Sequence, residues 1–355
     1  MYHHKSFRVY PTVVGRTHRL ILRLTAVVAM LLGIAGAWAP TSAADTVFET
    51  IPVGRFAQGV AITPDGTRAY AVIGDDDSVS VIDTATNTEI TTITVGHFPI
   101  GVAIAPNGTR AYVTNLLDNS VSVIDTTTNT EITTITVENV AEEVAITPDG
   151  TRLYVTNFLD NTVTVIDTGA NTEIKTITVG TGPSGVAITP DGTRAYVPNA
   201  SDNSVSVIDT TTNTEITTVT VGELPQRVAI TPNGSLVYVT NADDNTVSVI
   251  DTGTNMVVGM PIAVGDGPQG VAITPNGKRA YVTNFDDDTV SVIDTGTNTV
   301  VETVTVDGAP FGVSITPNGK RAYVTNFVDR TVSVIAIDQC LGSLCFNFGP
   351  LTGSG

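Results

Sequence analysis

Few side chains in this sequence have the type and spacing that enzyme chemistry requires. Glu142 and Glu143 stand side by side, and a pair of carboxyls can supply a general acid and a general base. His97 is the one histidine beyond residue 44, so a histidine-rich metal site is excluded and a catalytic triad would depend on His97 alone. The sequence also has no GxSxG turn to expose a serine nucleophile. These residues identify no catalytic group, and we expect a non-catalytic protein.

Two acidic triplets offer a different chemistry, the binding of a metal ion. Their members are Asp75, Asp76, Asp77, Asp286, Asp287 and Asp288. Oxygen-rich loops of this kind can hold Ca²⁺, which takes six to eight oxygen ligands, although neither triplet has the EF-hand pattern. Asp is equally typical of turns, because its side chain bonds to its own backbone. Both interpretations stay open, and Ca²⁺ is the one cofactor that we consider.

An internal repeat supplies the elements that would position these residues. The turn ITPDG and its variants place a proline at seven positions, 42 or 43 residues apart: Pro64, Pro106, Pro148, Pro190, Pro232, Pro275 and Pro317. Each period contains four short apolar segments separated by Gly, Pro, Asn and Asp turns, without helical periodicity. One period is thus a four-stranded antiparallel blade. In its first hairpin, Arg152 and Asp167 are expected to pair across the strands, as are their equivalents.

The two ends of the repeated region predict a closed ring. The seventh copy has three of its strands, within residues 312–337, but lacks the fourth. Residues 45–54 match the fourth strand of the other copies, residues 87–96, and have no partner strands of their own. Pairing the N-terminal strand with the last blade would remove the open edges of the array. The sequence therefore predicts an all-β, seven-bladed β-propeller of four-stranded antiparallel blades, closed by its N-terminal strand.

The repeat contains a recognisable sequence motif. Tyr112-Val113-Thr114-Asn115 recurs in five of the seven copies, with YVPN at residues 196–199 and AVIG at residues 71–74 in the other two. This repeat closely resembles the YVTN family of β-propeller proteins, and the resemblance covers nearly all of residues 45–337. It implies a propeller of the kind found in surface-layer proteins and exported bacterial proteins. The only tryptophan is Trp38, so a WD-type propeller is not indicated.

Ligand-binding residues are sought where the seven copies differ. In a four-stranded blade, the link between blades and the turn between the second and third strands lie on the same face. The variable links place the following candidate binding residues around the central channel: Phe56, Gln58, His97, Phe98, Glu142, Glu143, Gln226, Arg227, Gln269 and Phe311. Apolar groups on an acidic rim are typical of a partner-binding surface. The alternative is that these side chains only fill the channel.

The two termini have compositions of their own. Residues 1–44 combine five basic residues, an apolar run and a small-residue exit, which is typical of a secretory signal peptide; an uncleaved anchor is the alternative. No other stretch is apolar enough to span a bilayer. Residues 338–355 form a Gly-rich tail in which Cys340 and Cys345 would form a small disulfide or remain free thiols.

Charge narrows the possible partners. The whole chain has net charge −18, and removing residues 1–44 leaves 12 basic against 35 acidic residues, a net charge of −23. Such a surface repels phosphates, so nucleic acid is not expected as a partner. We expect an exported protein at the cell surface, outside the cell or in the periplasm. It would be a monomeric ring that binds an envelope component or a protein. The alternative is a propeller hydrolase of the lactonase type.

Overall fold

The computed structural model describes residues 44–338. The described chain consists of strands and turns without any helix, and no apolar helix of membrane-spanning length occurs in it. The predicted signal peptide before residue 44, the tail after Asp338 and the pair Cys340 and Cys345 lie outside the described residues.

The strands follow one another at regular intervals. In chain order they are β1 (Thr46–Pro52), β2 (Ala57–Ile62), β3 (Arg68–Ile73), β4 (Ser78–Asp83), β5 (Thr88–Thr94), β6 (Pro99–Ile104), β7 (Arg110–Asn115), β8 (Ser120–Asp125), β9 (Thr130–Thr136), β10 (Ala141–Ile146), β11 (Arg152–Asn157), β12 (Thr162–Asp167), β13 (Thr172–Thr178), β14 (Ala187–Ile188) and β15 (Arg194–Asn199). They continue with β16 (Ser204–Asp209), β17 (Thr214–Thr220), β18 (Pro225–Ile230), β19 (Leu236–Asn241), β20 (Thr246–Asp251), β21 (Met256–Val257), β22 (Ile262–Ala263), β23 (Pro268–Ile273), β24 (Arg279–Asn284), β25 (Thr289–Asp294), β26 (Thr299–Thr305), β27 (Pro310–Ile315), β28 (Arg321–Asn326) and β29 (Thr331–Ala336).

These strands form seven antiparallel sheets, which confirms the predicted seven-bladed propeller. Blades 1 to 4 are β2–β5, β6–β9, β10–β13 and β14–β17; blade 5 is β18–β22 and blade 6 is β23–β26. The inner strand of each blade lies at the axis, and apolar side chains of neighbouring blades pack together between the sheets. Every blade thus needs its neighbours in order to bury its faces.

The N-terminal strand completes blade 7, as predicted. The order of that sheet is β1–β29–β28–β27, and β1 runs antiparallel to β29 with Ile51 opposite Val332. Asp45, just before β1, is 3% exposed. Its carboxylate accepts hydrogen bonds from the Tyr281 hydroxyl, from Arg279 Nη1 at 3.2 Å and from the Asp338 backbone N–H at 2.6 Å. Both ends of the propeller therefore meet at one buried carboxylate.

The repeated residues build the blades. In blade 3, the hydroxyl of buried Tyr154 donates to Asn213 Oδ1 of blade 4 at 2.5 Å, which joins the two blades. Asn157 Nδ2 donates to the hydroxyls of Thr162 and Thr164 at 3.0 and 2.9 Å, within the hairpin. The same tyrosine and asparagine contacts recur around the ring, so this part of the repeat is structural.

The repeated arginine and aspartate lie opposite each other across the strands, as predicted, but their side chains bond to other partners. Arg152 and Asp167 are opposite each other in register. However, Arg152 Nη1 donates to the Thr210 carbonyl of the next blade at 2.8 Å. The Asp167 carboxylate instead accepts the backbone N–H groups of Gly169 and Ala170 in its own turn. A tight turn offers the carboxylate two fixed donors close by, so the arginine is left to bridge the blades.

Two blades depart from the regular pattern. The inner strand of blade 4, β14, has two residues, whereas the inner strands of the other blades have six. In blade 5, the extra residue of the repeat splits the outer strand into β21 and β22 around Gly259. The split leaves Met256 and Met260 66% and 85% exposed on the outer edge.

Candidate functional site

A β-bulge aims side chains at the axis of the propeller. In six of the seven blades, the register between the first and second strands shifts at the two residues before the inner valine, for instance between Ala141 and Val144. A bulge releases its residues from the ladder and redirects their side chains. Glu142 and Glu143 occupy the bulge of blade 3, and Gln226 and Arg227 occupy that of blade 5.

The second bulge residue is the position at which the ring loses its symmetry. It is Gly59, Gly101, Glu143, Gly185, Arg227, Gly270 and Gly312 in the seven blades. A Cβ on Gly312 would lie 2.4 Å from the Gln58 carbonyl oxygen of the next blade, because neighbouring inner strands approach closely there. Five blades accordingly have glycine. Glu143 and Arg227 break this rule, and β14, which lies between them, is the shortened inner strand.

Arg227 links three blades through its guanidinium group. Its Nε lies 3.0 Å from Glu143 Oε2, and its Nη2 lies 3.6 Å from Glu142 Oε1. Its Nη1 donates to the Ser184 carbonyl of blade 4. In blade 2 the equivalent link is made by a threonine, since Thr114 donates to the Glu142 carbonyl at 3.0 Å. Arginine thus replaces a hydroxyl as donor and places a cation on the axis.

Burial perturbs both carboxyl groups. Their side chains are 18% exposed, and that of Arg227 is 12% exposed. Desolvation raises the pKa of Glu142 above its ordinary value; the nearby Arg227 opposes this change and the charge of Glu143 adds to it. Desolvation also raises the pKa of Glu143, again opposed by Arg227. Two carboxyls thus share one guanidinium in a poorly solvated channel.

Glu143 and Arg227 line a cavity at the centre of the ring. Its volume is about 180 Å³, and every blade contributes to its wall. Most of the wall is glycine and valine, to which Glu143, Arg227 and Phe311 add the only charged and aromatic surfaces among its lining residues. Ligand pockets for drug-sized molecules measure about 300–1,000 Å³. The cavity therefore has room for a small group or for the tip of a larger ligand.

Phenylalanines of neighbouring blades pack together on one side of the ring, beside Phe311 of the cavity wall. The guanidinium of Arg227 lies 5.5 Å from the centre of the Phe311 ring. Phe56 stacks on Phe327 with ring centres 4.5 Å apart, and Phe285 lies 6.4 Å from Phe311. Phe98 extends the group, 6.4 Å from Phe56. We call these five side chains the phenylalanine cluster. It lies on the face formed by the links and second turns, which we call the upper face.

The acidic turns of the upper face are engaged with backbone groups. Asp76 accepts the Arg55 N–H at 3.3 Å, and Asp287 accepts the Asp266 N–H at 2.7 Å; the other five blades have the same contact. Asp77 and Asp288 each accept an N–H of the next blade at 2.9 Å.

The two remaining acidic candidates, Asp75 and Asp286, are exposed, and Asp75 pairs with Arg55 at 3.4 Å. Within residues 44–338, no group of three or more His, Cys, Asp or Glu side chains has an arrangement suited to a metal ion. The turn interpretation accounts for four of the six aspartates.

The other candidate residues divide between the channel and the rim. Gln58 is buried, and its Nε2 donates to the Pro99 carbonyl of the next blade at 3.5 Å. Gln226 and Gln269 lie in bulges, where their backbone carbonyls accept bonds from Ser184 and Thr240. His97 lies on the exposed rim with Nδ1 2.8 Å from Asp77, and so belongs to the turns and not to the glutamate pair.

Sequence reasoning overlooked two features of the site. The first is the role of Asp45 in closing the ring. Aligning residues 45–54 with a complete fourth strand and its preceding turn reveals it, because Asp45 then falls at the position of Asn87 and its equivalents. The second is the ion pair between Glu143 and Arg227. Alignment of the seven copies on the bulge glycine would have revealed it, because these are the two charged residues at that position.

The fold and the repeated contacts define this chain as a seven-bladed β-propeller. Two family models match parts of it: one described as lactonase, 7-bladed beta-propeller matches residues 143–256, and one described as YNCE-like beta-propeller matches residues 221–339. Each match covers less than half of the chain. The comparison with curated proteins finds no match.

Solved structures include similar folds. One is hydrazine synthase of Kuenenia stuttgartiensis, which is 24% identical to this chain with a TM-score of 0.73. The alignment covers 81% of this chain and 96% of the hydrazine synthase chain. At this level of identity, the likeness concerns the fold alone.

Proposed function

We propose that this protein is an exported, non-catalytic propeller of the YVTN repeat type, which binds a cell-envelope component or a protein partner with the upper mouth of its channel. The observation that carries the proposal is the break in the glycine ring, where Glu143 and Arg227 replace glycine on the axis. A purely structural ring would have no need of a desolvated ion pair, which stabilises a fold less well than apolar packing does.

The surroundings of the ion pair support a binding role. The phenylalanine cluster places apolar surface beside charged groups at one mouth of the channel, a combination typical of binding surfaces. The cavity of about 180 Å³ admits a small group only. A rigid ring also holds its loops in place before the partner arrives, which lowers the entropy lost on binding.

Co-sedimentation with isolated cell-envelope fractions would test this proposal. We expect the purified protein to sediment with the envelope fraction, and the double variant Glu143→Gly/Arg227→Gly, which restores glycine in all seven blades, to remain in solution. Glu223→Gln, an exposed change on the same face, is the matched control. Equal sedimentation of the double variant would contradict a role for the channel mouth.

The second candidate is a hydrolase of the lactonase type. Glu142 and Glu143 have raised pKa values beside Arg227, and a carboxyl tuned in this way can act as a general base while a guanidinium stabilises developing negative charge on oxygen. The lactonase model matches the segment that contains both Glu143 and Arg227. Lactone hydrolysis that is lost in Glu142→Gln/Glu143→Gln, with envelope binding unchanged, would favour this function over the first.

The same preparation can test the predicted Ca²⁺ site. Melting temperatures would be compared with Ca²⁺, with Mg²⁺, and without either ion. A ligand at about 100 times its dissociation constant stabilises a protein by roughly 2.7 kcal/mol, which is readily measured. A rise with Ca²⁺ that is lost in Asp75→Asn/Asp286→Asn would locate the ion at the acidic turns.

A further inference from the structure

Three large apolar side chains are exposed at one position of the upper face, the second residue of the turn between the second and third strands. Leu117, Leu159 and Val328 are 65%, 54% and 53% exposed there. At the same position blade 4 has Ser201, and blades 1, 5 and 6 have aspartate. Because serine and aspartate form the same turn, the fold does not require an apolar residue at this position. Covering these side chains with another molecule would remove apolar surface from water.

The negative charge of the propeller is concentrated on the same face. The second turns contain twelve acidic residues and one arginine, Arg330, and the links add four acidic residues and Arg55. On the opposite face, the first turns contain three aspartates and two lysines, and the strand ends beside the turns add six aspartates and six arginines. The opposite face is therefore nearly neutral, whereas the upper face is strongly acidic.

The apolar and acidic variants of the turn position lie on different sides of the ring. Leu117 and Leu159 belong to the adjacent blades 2 and 3, whereas Asp243 and Asp286 belong to blades 5 and 6. The other large apolar side chains that are exposed within residues 44–338 belong to the outer strands and to the loop that splits the outer strand of blade 5. Exposed apolar groups and a high density of carboxylates thus coincide on the upper face.

This combination restricts the class of partner. Carboxylates repel an anionic lipid surface and a nucleic acid. A neutral glycan has no charge to pair with them, and a polyamine would leave the leucines in water. A protein segment that carries lysine or arginine beside apolar side chains complements both features, and complementary charge also selects the partner and speeds its association.

We propose that the upper face docks a basic, amphipathic segment of a partner protein. Its apolar side chains cover Leu117 and Leu159, and its lysines or arginines face the carboxylates of blades 5 and 6. This inference rests on the proposed function and specifies its partner as a protein with a basic segment.

Fluorescence anisotropy with three labelled peptides tests the chemistry of the partner. The peptide KLLKKLLKKLLK is basic and amphipathic, ELLEELLEELLE reverses its charge, and KSSKKSSKKSSK keeps the charge without the apolar side chains. We expect the first to bind the full-length protein at least about tenfold more tightly than either of the others. Its affinity should fall at least about fivefold between about 50 and about 300 mM NaCl. Equal binding of KSSKKSSKKSSK, or binding that salt does not weaken, would overturn the inference.

A pair of double variants locates the apolar half of the surface. Leu117→Ser/Leu159→Ser introduces the residue that blade 4 has at this position, so the turns are expected to keep their fold, and binding of KLLKKLLKKLLK should weaken about tenfold. The matched control is Ile132→Ser/Ile174→Ser, which removes side chains that are 49% and 47% exposed on outer strands. The control should bind like the unchanged protein. Equal weakening in both variants would refute the site.

A second pair locates the acidic half. Asp243→Asn/Asp286→Asn removes two carboxylates of blades 5 and 6 and is expected to weaken peptide binding several-fold and to reduce its dependence on salt. Glu131→Gln/Glu173→Gln removes the same charge from the outer strands of blades 2 and 3 and should have little effect. If both pairs weaken binding equally, the peptide responds only to the net charge of the chain, and the inference fails.

The envelope fraction separates this inference from the proposed function. Trypsin cleaves after lysine and arginine, so treating the envelope with trypsin, followed by an inhibitor, should abolish sedimentation of the propeller. Sedimentation that survives trypsin and is unchanged in Leu117→Ser/Leu159→Ser would refute the basic partner while leaving envelope binding intact. Peptide binding that depends on these leucines, without envelope sedimentation, would support the docking surface and contradict the proposed envelope location of the partner.

Discussion

At the scale of single residues, the two buried glutamates of the channel form a charged site that lowers the stability of the fold. Burial raises the pKa of Glu142, so its proton binds more tightly in the folded state than in the unfolded chain. The stability contributed by this group is present below its unfolded value of about 4.5 and is lost as pH rises through the higher folded value. Above pH 4.5 Glu142 therefore lowers the stability of the fold relative to a group with an unshifted pKa.

Glu142→Gln tests this account through the pH dependence of stability. We expect the variant to be more stable than the unchanged protein at pH 7.5, because it has no buried charge to desolvate, while Arg227 keeps Glu143 as its partner. The difference in free energy of unfolding should shrink as pH falls toward 4. Urea unfolding between pH 4 and 8 measures it, and a difference that grows at low pH would contradict the raised pKa.

Arg330 is the one irregular residue at its position in the seven turns between the second and third strands. In the other blades an Asn or Asp with positive φ accepts an N–H from the next blade, as Asn203 does from Leu224 at 3.1 Å. Arg330 has φ 60°, but its side chain has no acceptor to offer the N–H of Phe56. The stacked rings of Phe56 and Phe327 hold this junction instead.

Arg330→Asn should therefore stabilise the protein, by about 1 kcal/mol for a new hydrogen bond. Asn also adopts positive φ more readily than Arg. Arg330→Ala removes the same charge without providing an acceptor and is the matched control. Chemical unfolding compares the two variants. If Asn is no more stable than Ala, the junction does not have the geometry of the other six.

At the scale of secondary-structure elements, the close approach of inner strands decides which residues the bulge tolerates. The Cβ of an alanine at Gly312 would meet the Gln58 carbonyl, which is backbone and cannot rotate away. Gly296, in an exposed turn, would meet no atom closer than Asp294 Oδ1 at 3.3 Å. The same substitution thus has two different surroundings in adjacent blades.

Gly312→Ala is expected to lower the free energy of unfolding by about 1–3 kcal/mol, as overpacking typically does. Gly296→Ala serves as the control and should change it much less. Urea unfolding at neutral pH distinguishes the two. Similar effects at both positions would mean that blades 7 and 1 can separate at little cost.

The fold could be predicted from the sequence because each element repeats its own signals. The proline turns, the alternation of Thr and Val, and the YVTN motif recur with a fixed period. A wrong strand assignment in one copy can therefore be corrected from the other six. The site is harder to predict because it depends on contacts that are not repeated. Arg227 reaches Glu143 across 84 positions of sequence and an intervening blade, and no local pattern indicates such a pair.

At the scale of the whole molecule, one junction joins the two ends of the ring. Asp45 replaces the asparagine that other blades present to the neighbouring tyrosine, and it adds a charge that pairs with Arg279. The Asp45 side chain has no exposed surface and that of Arg279 is 12% exposed, so the pair is well shielded from solvent.

Asp45→Ala should destabilise the protein by about 3 kcal/mol, because it leaves Arg279 without its buried partner. Asp45→Asn restores the residue found in other blades and should recover part of the loss through the Tyr281 hydroxyl. Differential scanning calorimetry measures both. Equal melting of Asp45→Ala and the unchanged protein would show that the ring is held without this contact.

Closure by β1 also has a consequence for the order in which the molecule folds. Asp45 and the Asp338 backbone that it holds are 293 residues apart. A growing chain therefore makes the first strand of the propeller long before the strands that will receive it exist, and contacts of such long sequence separation form slowly. Among the strands of the propeller, the first to be synthesised is the last to find its partner, so a propeller that is synthesised only in part is an open arc with an unpaired β1.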